Sequence, residues 1–357
     1  MMHNYLSTEV SKKSARKGVE KAISASVVGA RGYAGVELAR LLLRHPGVNL
    51  THCFATQEFS LANEVMHPKA ESVTCLSEAQ IMRNLTDVVF LATPAEVSIT
   101  LAPQILAKGK RVIDLSGAFR LKTSDTRKWY GFEQTAVEEL KHADYGLVPF
   151  CGPLKKKTKL IANPGCYATA ISLALIPLIK RGLVDVSNLT IDAKSGTTGA
   201  GRKANEGTLF SEVDGECLPY KVGKHQHLPE IQETVAAFSG VQIEPHFATH
   251  LLPVKTGIVA SIYAKSTTTD IADIQKAFTG EYANYLLVRH GTEVNKLARL
   301  KNVVGTPYCH ISYELVGNKL YVFSLIDNLL KGAASQAVEN LNRVMDLPAH
   351  FSLIGEN

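Results

Sequence analysis

Apolar residues in the first part of the chain fall into short runs separated by segments of helical pattern. Residues 22–28 form a β-run that opens into the glycine turn Gly29-Ala30-Arg31-Gly32-Tyr33-Ala34-Gly35. An amphipathic helix is expected over 36–44, stopped by Pro46-Gly47, with a strand over 48–54 behind it. Residues 87–92 are almost continuously apolar, as suits a parallel strand covered on both faces. A helix over 96–108 and a strand over 111–115 follow. Further on, strands are expected at 189–194, 247–253 and 257–264. Runs 309–316 and 319–326 flank Gly317-Asn318, a tight hairpin signal, so this region is antiparallel in character. A last helix over 333–345 is expected to return to the first sheet.

The pattern predicts an α/β protein: a Rossmann-like dinucleotide-binding domain and an α+β catalytic and dimerisation domain with a mixed, largely antiparallel sheet. The first spans 21–163 and is completed by the C-terminal segment 331–357; the second spans 164–330. Residues 1–20 are polar, lack the apolar core of a signal peptide, and are expected to be a disordered tail.

Between the two halves lies the stretch 161–177. Asn163-Pro164-Gly165 are turn residues after a short apolar strand, and the apolar segment behind Cys166 ends in Lys180-Arg181-Gly182, a helix stop signal. A helix over 167–181 puts Cys166 at its N-terminal end, where free N–H groups and the dipole favour an anion. A thiol of pKa about 8.5 is expected to be lowered there, making a nucleophile, although a free cysteine is more often a small core residue.

The chain has 357 residues, 45% hydrophobic and 20% charged, with a formal charge of +6. That is a soluble globular composition, with no apolar run as long as a membrane span. The lysine run 155–157 with Lys159 has no interleaved aromatics, so it reads as a solvated loop and not as a nucleic-acid site. Six scattered cysteines without CxxC pairs suit a reducing compartment, and a cytoplasmic location is expected.

Loops at the carboxyl ends of the parallel strands form the ligand crevice of such folds. Arg120 follows one of them and is either a clamp for phosphate or carboxylate or a surface ion pair. The loop Ser195-Gly196-Thr197-Thr198-Gly199-Ala200-Gly201-Arg202 is rich in glycine and hydroxyls beside cations. In Lys224-His225-Gln226-His227-Leu228-Pro229-Glu230 the two histidines face one way if extended. With only Glu230 nearby they do not make a metal site, and either a catalytic or a structural role fits them. Past the second strand, Thr56 and Gln57 suit a cofactor 2′-phosphate while Glu58 pulls toward a free 2′-hydroxyl, so the residues alone leave that choice open.

The run 161–177, with Asn163-Pro164-Gly165-Cys166-Tyr167-Ala168-Thr169, resembles the active-site signature of the N-acetyl-gamma-glutamyl-phosphate reductase family. The stretches Gly29 to Gly35, Ile113 to Arg120, Tyr145-Gly146-Leu147, Ser195 to Arg202, His225 to Glu230 and Asp327 to Gly332 are similar to the same family, in the same order. Thr93-Pro94-Ala95-Glu96 and Val148-Pro149-Phe150 depart from its usual pattern at the crevice rim. The resemblance implies NADPH-dependent reduction of an acyl phosphate to an aldehyde, with release of phosphate, in arginine biosynthesis.

Carried over, it implies that Cys166 holds the acyl group and that the catalytic histidine is His225, with His227 as second choice and Glu230 in the same catalytic stretch. Arg120, Tyr220, Arg202 and Ser195 are implied to bind substrate. Gly29, Arg31, Gly32, Tyr33, Gly35, Thr56, Thr93, Ser116, Gly196, Gly199 and Asn328 are implied to line the NADP site. A homodimer or homotetramer is expected, with no nucleic-acid, membrane or metal partner. A related acyl-phosphate reductase such as an aspartate-semialdehyde dehydrogenase, or a non-catalytic NADPH-binding regulator, are the competing readings.

Overall fold

The computed structural model describes residues 22–155 and 157–355. The tail expected over 1–20, Lys156 of the lysine run and the last two residues of the C-terminal segment lie outside them.

Seven strands form the first sheet: β1 (Ile23–Val28), β2 (Val48–Ala55), β3 (Thr74–Ser77), β4 (Val88–Leu91), β5 (Arg111–Asp114), β6 (Asp144–Tyr145) and β7 (Leu160–Ala162). Their order is β3-β2-β1-β4-β5-β7-β6, and every pairing is parallel. The order reverses direction between β1 and β4, the switch point where ligands bind in such sheets. Helices cover both faces, as the continuous apolar strands require. On one face α1 (Tyr33–Arg44) packs through Leu38, Ala39 and Leu42 against Ala25, Val27 and Phe90. On the other, α2 (Ala95–Ala107) packs through Ile99, Ala102 and Ile105 against Val28, Val89 and Leu91.

Strand β7 runs into Asn163-Pro164-Gly165 and then α3 (Cys166–Lys180), in which residues 167–179 are all buried. Cys166 is thus the first residue inside the helix, one position earlier than the apolar run alone suggests. The helix lies under a second sheet of β8 (Val184–Ser195), β9 (Leu218–Pro219), β10 (His246–Leu251), β11 (Ile258–Ser266), β12 (Val288–Gly291), β13 (Cys309–Val316) and β14 (Lys319–Ile326). Its order is β12-β13-β14-β11-β8-β10-β9, with β8–β10 and β12–β13 parallel and the other four pairings antiparallel. With α4 (His227–Ser239) and α5 (Ile271–Tyr282), α3 fills the core under one face. The opposite face is partly exposed, with Tyr263 and Tyr321 in edge contact there.

The chain then returns to the first sheet. A π-helical turn, Leu330–Ala334, leads into α6 (Ser335–Val344), where Ala337, Val338 and Leu341 join the core beside α1. All of residues 335–342 are buried although five of them are polar or charged, so each needs a partner. Asn340 Nδ2 donates to Gly146 O (2.9 Å) and Asn163 Oδ1 (3.1 Å), and Gln336 Nε2 to Thr169 Oγ1 (2.8 Å). Lys331 and Glu339 form a fully buried pair at 2.7 Å that both share with the Tyr285 hydroxyl. The Asn340 bond to Asn163 ties the returning helix to the turn before Cys166, and the Gln336 bond ties it to α3 itself.

Candidate active site

Cys166 stands where the first sheet hands over to the second. Gly165 N–H, just before it, donates to Glu230 Oε1 (2.7 Å). Gly165 has ordinary extended angles, so space and not backbone strain requires a glycine. A Cβ there would lie 2.5 Å from His227 Nε2 and 2.8 Å from both Arg120 Nη1 and Glu230 Oε2. Three polar side chains therefore converge on the peptide that precedes the sulfur. Behind it, a Cβ on Gly332 would come within 2.7 Å of Cys166 Cβ, so the π-turn closes over the cysteine with no side chain to spare.

Glu230, one turn into α4, is buried and holds the cluster. Besides Gly165 it accepts hydrogen bonds from Tyr145 (2.8 Å) and Tyr130 (3.1 Å), and it faces Arg120 Nη1 at 3.6 Å and His227 Nε2 at 3.9 Å. Arg120 is buried too, and not a surface ion pair. Its Nε donates to Asn163 O (2.8 Å) and its Nη2 to Leu115 O (2.6 Å). Burial opposes its charge most strongly, but Glu230, Tyr130, Tyr145 and Asp114 together outweigh it and hold the guanidinium above the ordinary arginine value. Two of its three nitrogens are spent on backbone carbonyls, one of them in the turn that presents Cys166.

The two histidines are not extended. Gln226 is helical (φ −59°, ψ −20°) and His227 begins α4, yet the rings lie 4.9 Å apart. His225 packs edge-on to Tyr167 (5.1 Å), Tyr220 (5.6 Å) and Phe247 (5.6 Å). Its Nδ1 accepts the His227 N–H (3.1 Å), which puts the proton of the neutral ring on Nε2. Among the described residues, His227 Nδ1 is buried without a partner. Burial, then the neighbouring His227 and Lys221, depress His225 to about 2; burial, Arg120 and Lys221 take His227 well below its usual range. Both rings are neutral.

The thiol corrects the expectation of a preformed anion. Burial pushes Cys166 up to about 11; Arg120 and the Tyr167 N–H pull the other way, and Glu230 adds to the rise. A helix terminus contributes about 0.3–1 kcal/mol, less than one pKa unit. Burial of a charge can move a pKa by about 3–5 units, so burial wins.

A second group of residues gathers at the switch point. Gly29 has φ +80°, and a Cβ on it would lie 2.3 Å from Ala92 O; one on Gly35 would lie 2.3 Å from Gly29 O. The turn therefore folds tightly under α1, whose first N–H groups, on Tyr33, Ala34 and Gly35, have no partner within the helix. A pyrophosphate fits such donors. At the end of β2 the position for a ribose-binding carboxylate holds Ala55 and the exposed Thr56. Arg31 reaches across to hydrogen-bond Gln57 Oε1, while its Nε is buried and has no partner among the described residues. Glu58 is exposed, and Glu64 is neutralised by Arg202 (3.1 Å). Arg31 beside a strand end that itself carries no carboxylate fits a 2′-phosphate, while Glu58, three positions past that end, is exposed to water.

The residues named from sequence thus divide. Cys166, His225, His227, Glu230, Arg120 and Tyr220 come together, Tyr220 through its hydroxyl on Tyr167 (3.0 Å). Arg202 instead joins the glycine turn, donating to Arg31 O (2.8 Å). Ser195, Gly196 and Gly199 lie at the end of β8, with the Ser195 hydroxyl on Gly196 O (3.0 Å). Ser116 bonds Asp114 (2.8 Å), Thr93 bonds Ser98 (2.8 Å), and Asn328 bridges Gly257 N (2.7 Å) to Thr198 (3.0 Å). The side chains of these last three are committed within the protein, which leaves them to shape the crevice. Tyr130, Tyr145, Asn163 and Asn340 also belong to this cluster. Tyr145 and Asn163 lie in the motifs Tyr145-Gly146-Leu147 and Asn163-Pro164-Gly165; nothing in the local sequence marks Asn340. Among the described residues, no group of three or more His, Cys, Asp or Glu is placed to hold a metal, and no helix is long and apolar enough to cross a membrane.

Residues 24–153 match a family model described as semialdehyde dehydrogenase, NAD binding domain, and residues 166–328 one described as semialdehyde dehydrogenase, dimerisation domain. The N-acetyl-gamma-glutamyl-phosphate reductase of Geobacillus kaustophilus is 40% identical over 333 residues, covering 90% of this chain and 96% of that protein. The protein of the same name from Staphylococcus aureus is 38% identical, covering 91% and 96%. Among solved structures, aspartate semialdehyde dehydrogenase II from Vibrio cholerae is similar at a TM-score of 0.68 and 14% identity, covering 92% of this chain and 99% of its own. A probable aspartate-semialdehyde dehydrogenase from Pseudomonas aeruginosa gives 0.62 and 19%, covering 90% and 98%. At such identities these structures share the fold.

The half-buried neutral thiol yields a direct expectation. In the unliganded protein, iodoacetamide labelling of Cys166, followed by peptide mass spectrometry, should accelerate about tenfold per pH unit from pH 7 to 10, tracking the thiolate fraction. A rate already level at pH 7 would mean a preformed thiolate.

Proposed function

This chain belongs to the N-acetyl-gamma-glutamyl-phosphate reductase family, and from that premise we propose how its own residues carry the reaction. It is an NADP-dependent oxidoreductase that reduces N-acetyl-L-glutamyl 5-phosphate to the 5-semialdehyde and releases phosphate, in arginine biosynthesis. The observation that carries the assignment of roles is the convergence of His227, Arg120 and Glu230 on the Gly165 peptide beside Cys166. The aspartate-semialdehyde dehydrogenases resemble the chain in fold only, so an aspartyl substrate has no comparable support.

Cys166 sulfur attacks the acyl carbon, the carbon–oxygen bond to phosphate breaks, and phosphate leaves with the electron pair. The product is a thioester on Cys166. Bound NADPH supplies the hydride that reduces this carbonyl. The resulting thiohemiacetal oxygen is negative as it forms, and N–H groups at the start of α3 and His225 Nε2–H are the donors to meet it. When the carbon–sulfur bond breaks, aldehyde leaves and the sulfur is again a thiolate, ready for proton exchange with an imidazole.

The thiol must lose a proton before attack, and an imidazole is the base. His225 serves the family pattern, yet taking a proton on Nδ1 costs it the His227 N–H bond. His227 Nδ1 has no such bond to lose and competes for this first proton. Glu230, fully hydrogen-bonded, positions the others. Tyr220 borders the site through Tyr167, and Ser195 lies below the same loop.

Around the cofactor, Gly29, Gly32, Tyr33 and Gly35 take the pyrophosphate, and Arg31 with Thr56 and Gln57 takes the 2′-phosphate. Thr93, Ser116, Gly196, Gly199 and Asn328 form the crevice wall, and Arg202 braces Arg31. We infer a cytoplasmic homodimer or homotetramer; the match of 166–328 to a dimerisation domain and the partly exposed face around Tyr263 and Tyr321 support assembly through the second sheet.

The decisive assay is NADPH oxidation with N-acetylglutamyl phosphate, compared with aspartyl phosphate. Turnover should require the first, and Cys166→Ser should abolish it while NADPH affinity stays within a few-fold; full turnover in Cys166→Ser removes the thioester. His225→Asn and His227→Asn should separate by step. The base variant should lose the burst of phosphate release, and the oxyanion-donor variant should keep that burst but stall in reduction. Equal small losses in both would remove histidine from proton transfer. Arg31→Ala should weaken NADPH binding roughly tenfold or more, the scale of a charge-assisted hydrogen bond. NADH binding, titrated by fluorescence, should stay unchanged; parallel losses would place Arg31 elsewhere.

A further inference from the structure

The loop that carries Arg120 is held by a residue with no counterpart among the site residues above. Past Arg120, three successive backbone N–H groups point at one carboxylate, that of Glu233. Lys122 N donates to Oε2 (2.6 Å), and Thr123 N (3.2 Å) and Ser124 N (2.7 Å) donate to Oε1, with the Thr123 hydroxyl adding a fourth bond (2.9 Å). Successive N–H groups turned inward form a concave anion site, and here the chain fills it with its own side chain. Glu233 lies on α4, three residues after Glu230 and hence on the same helix face. One helix therefore grips the loop twice, one turn apart: Glu230 faces the Arg120 guanidinium, and Glu233 captures the backbone just beyond it. A cavity of about 540 Å³ borders the same place, lined by Arg120, Lys122, Tyr145 and Glu233 among others.

We propose that Glu233 is a positioning residue for the reduction: by clasping residues 122–124 it fixes Arg120 against Asn163 O and Glu230, and so holds the turn that presents Cys166. It touches none of the reacting groups. The role rests on the function proposed above, since its kinetic consequence is read through that reaction. The effect is sizeable because Arg120 Nε bonds the carbonyl of Asn163, three residues before the sulfur. Displacement of reacting groups by about 1 Å can cost about 100-fold in rate.

The test uses the full chain with Glu233→Gln, which keeps shape and one acceptor, and Glu233→Ala, which keeps neither. The expected result is a graded fall in kcat, about 3–10-fold for Gln and about 10–100-fold for Ala, with NADPH affinity and KM within about threefold. Gln242→Ala, in the same cavity wall but outside the clasp, should leave kcat unchanged. Hydrogen exchange gives a readout independent of turnover. In Glu233→Gln, protection should fall in the peptide holding 122–124 and also in the one holding 163–167. If the wild type proves inactive toward N-acetylglutamyl phosphate, the functional reading fails and the exchange result alone judges the clasp. Unchanged kcat in both variants, or lost protection confined to 122–124, overturns the proposal. So does a kcat loss that vanishes once the assay temperature is lowered to match the variant's stability, since that marks a fold defect.

Discussion

A buried carboxylate that must be satisfied organises this molecule. Glu230 sits out of water, and an ionised side chain there is tolerable only with partners on every side. It recruits the Gly165 N–H, two tyrosine hydroxyls, a guanidinium and an imidazole. Those partners come from α4, from the loop after β5, from the segments at 130 and 145, and from the turn before α3. Fixing one carboxylate therefore fixes the relative placement of both sheets around Cys166. Gly165 is the point where the constraint is tightest, because the space of a single methyl group is already taken by three polar atoms.

The same burial governs the chemistry. The thiol and both imidazoles rest uncharged, since each loses more by giving up water than it gains from any one neighbour. Such a site holds its nucleophile in reserve, and the proton moves only once a base and an acyl group are both aligned. Arg120 is the cation that offsets Glu230, and its backbone bonds to Asn163 O and Leu115 O anchor the turn before the sulfur. The returning helix α6 does similar work from behind through Asn340 on Asn163 and Gln336 on Thr169.

Much of the architecture was legible in the chain because it depends on local chemistry. Gly29 and Gly35 demand a tight strand-to-helix turn wherever they occur, and the alternation around Gly317-Asn318 gave a hairpin whose strands end where the pattern ends. Cys166 at the start of an apolar helix was equally visible, because a turn followed by an apolar run and a basic stop is a local signal. The histidine pair was visible as a motif, but the helix that begins at His227 was not.

Tertiary structure decided the rest. Whether the thiol is acidic depends on how much water reaches it, and that is set by Gly332 and the π-turn more than 160 residues away, beyond the reach of a helix-terminus argument. The resemblance puts Glu230 in the histidine stretch but says nothing of its partners; only folding brings Tyr130 and Tyr145 to it from about a hundred positions upstream. Arg202, expected as a substrate cation, donates to the Arg31 carbonyl and pairs with Glu64, contacts that only the fold supplies. Polar groups show their type in the sequence, but their partners are fixed by packing over long separations, and it is the partner that determines charge, tautomer and role.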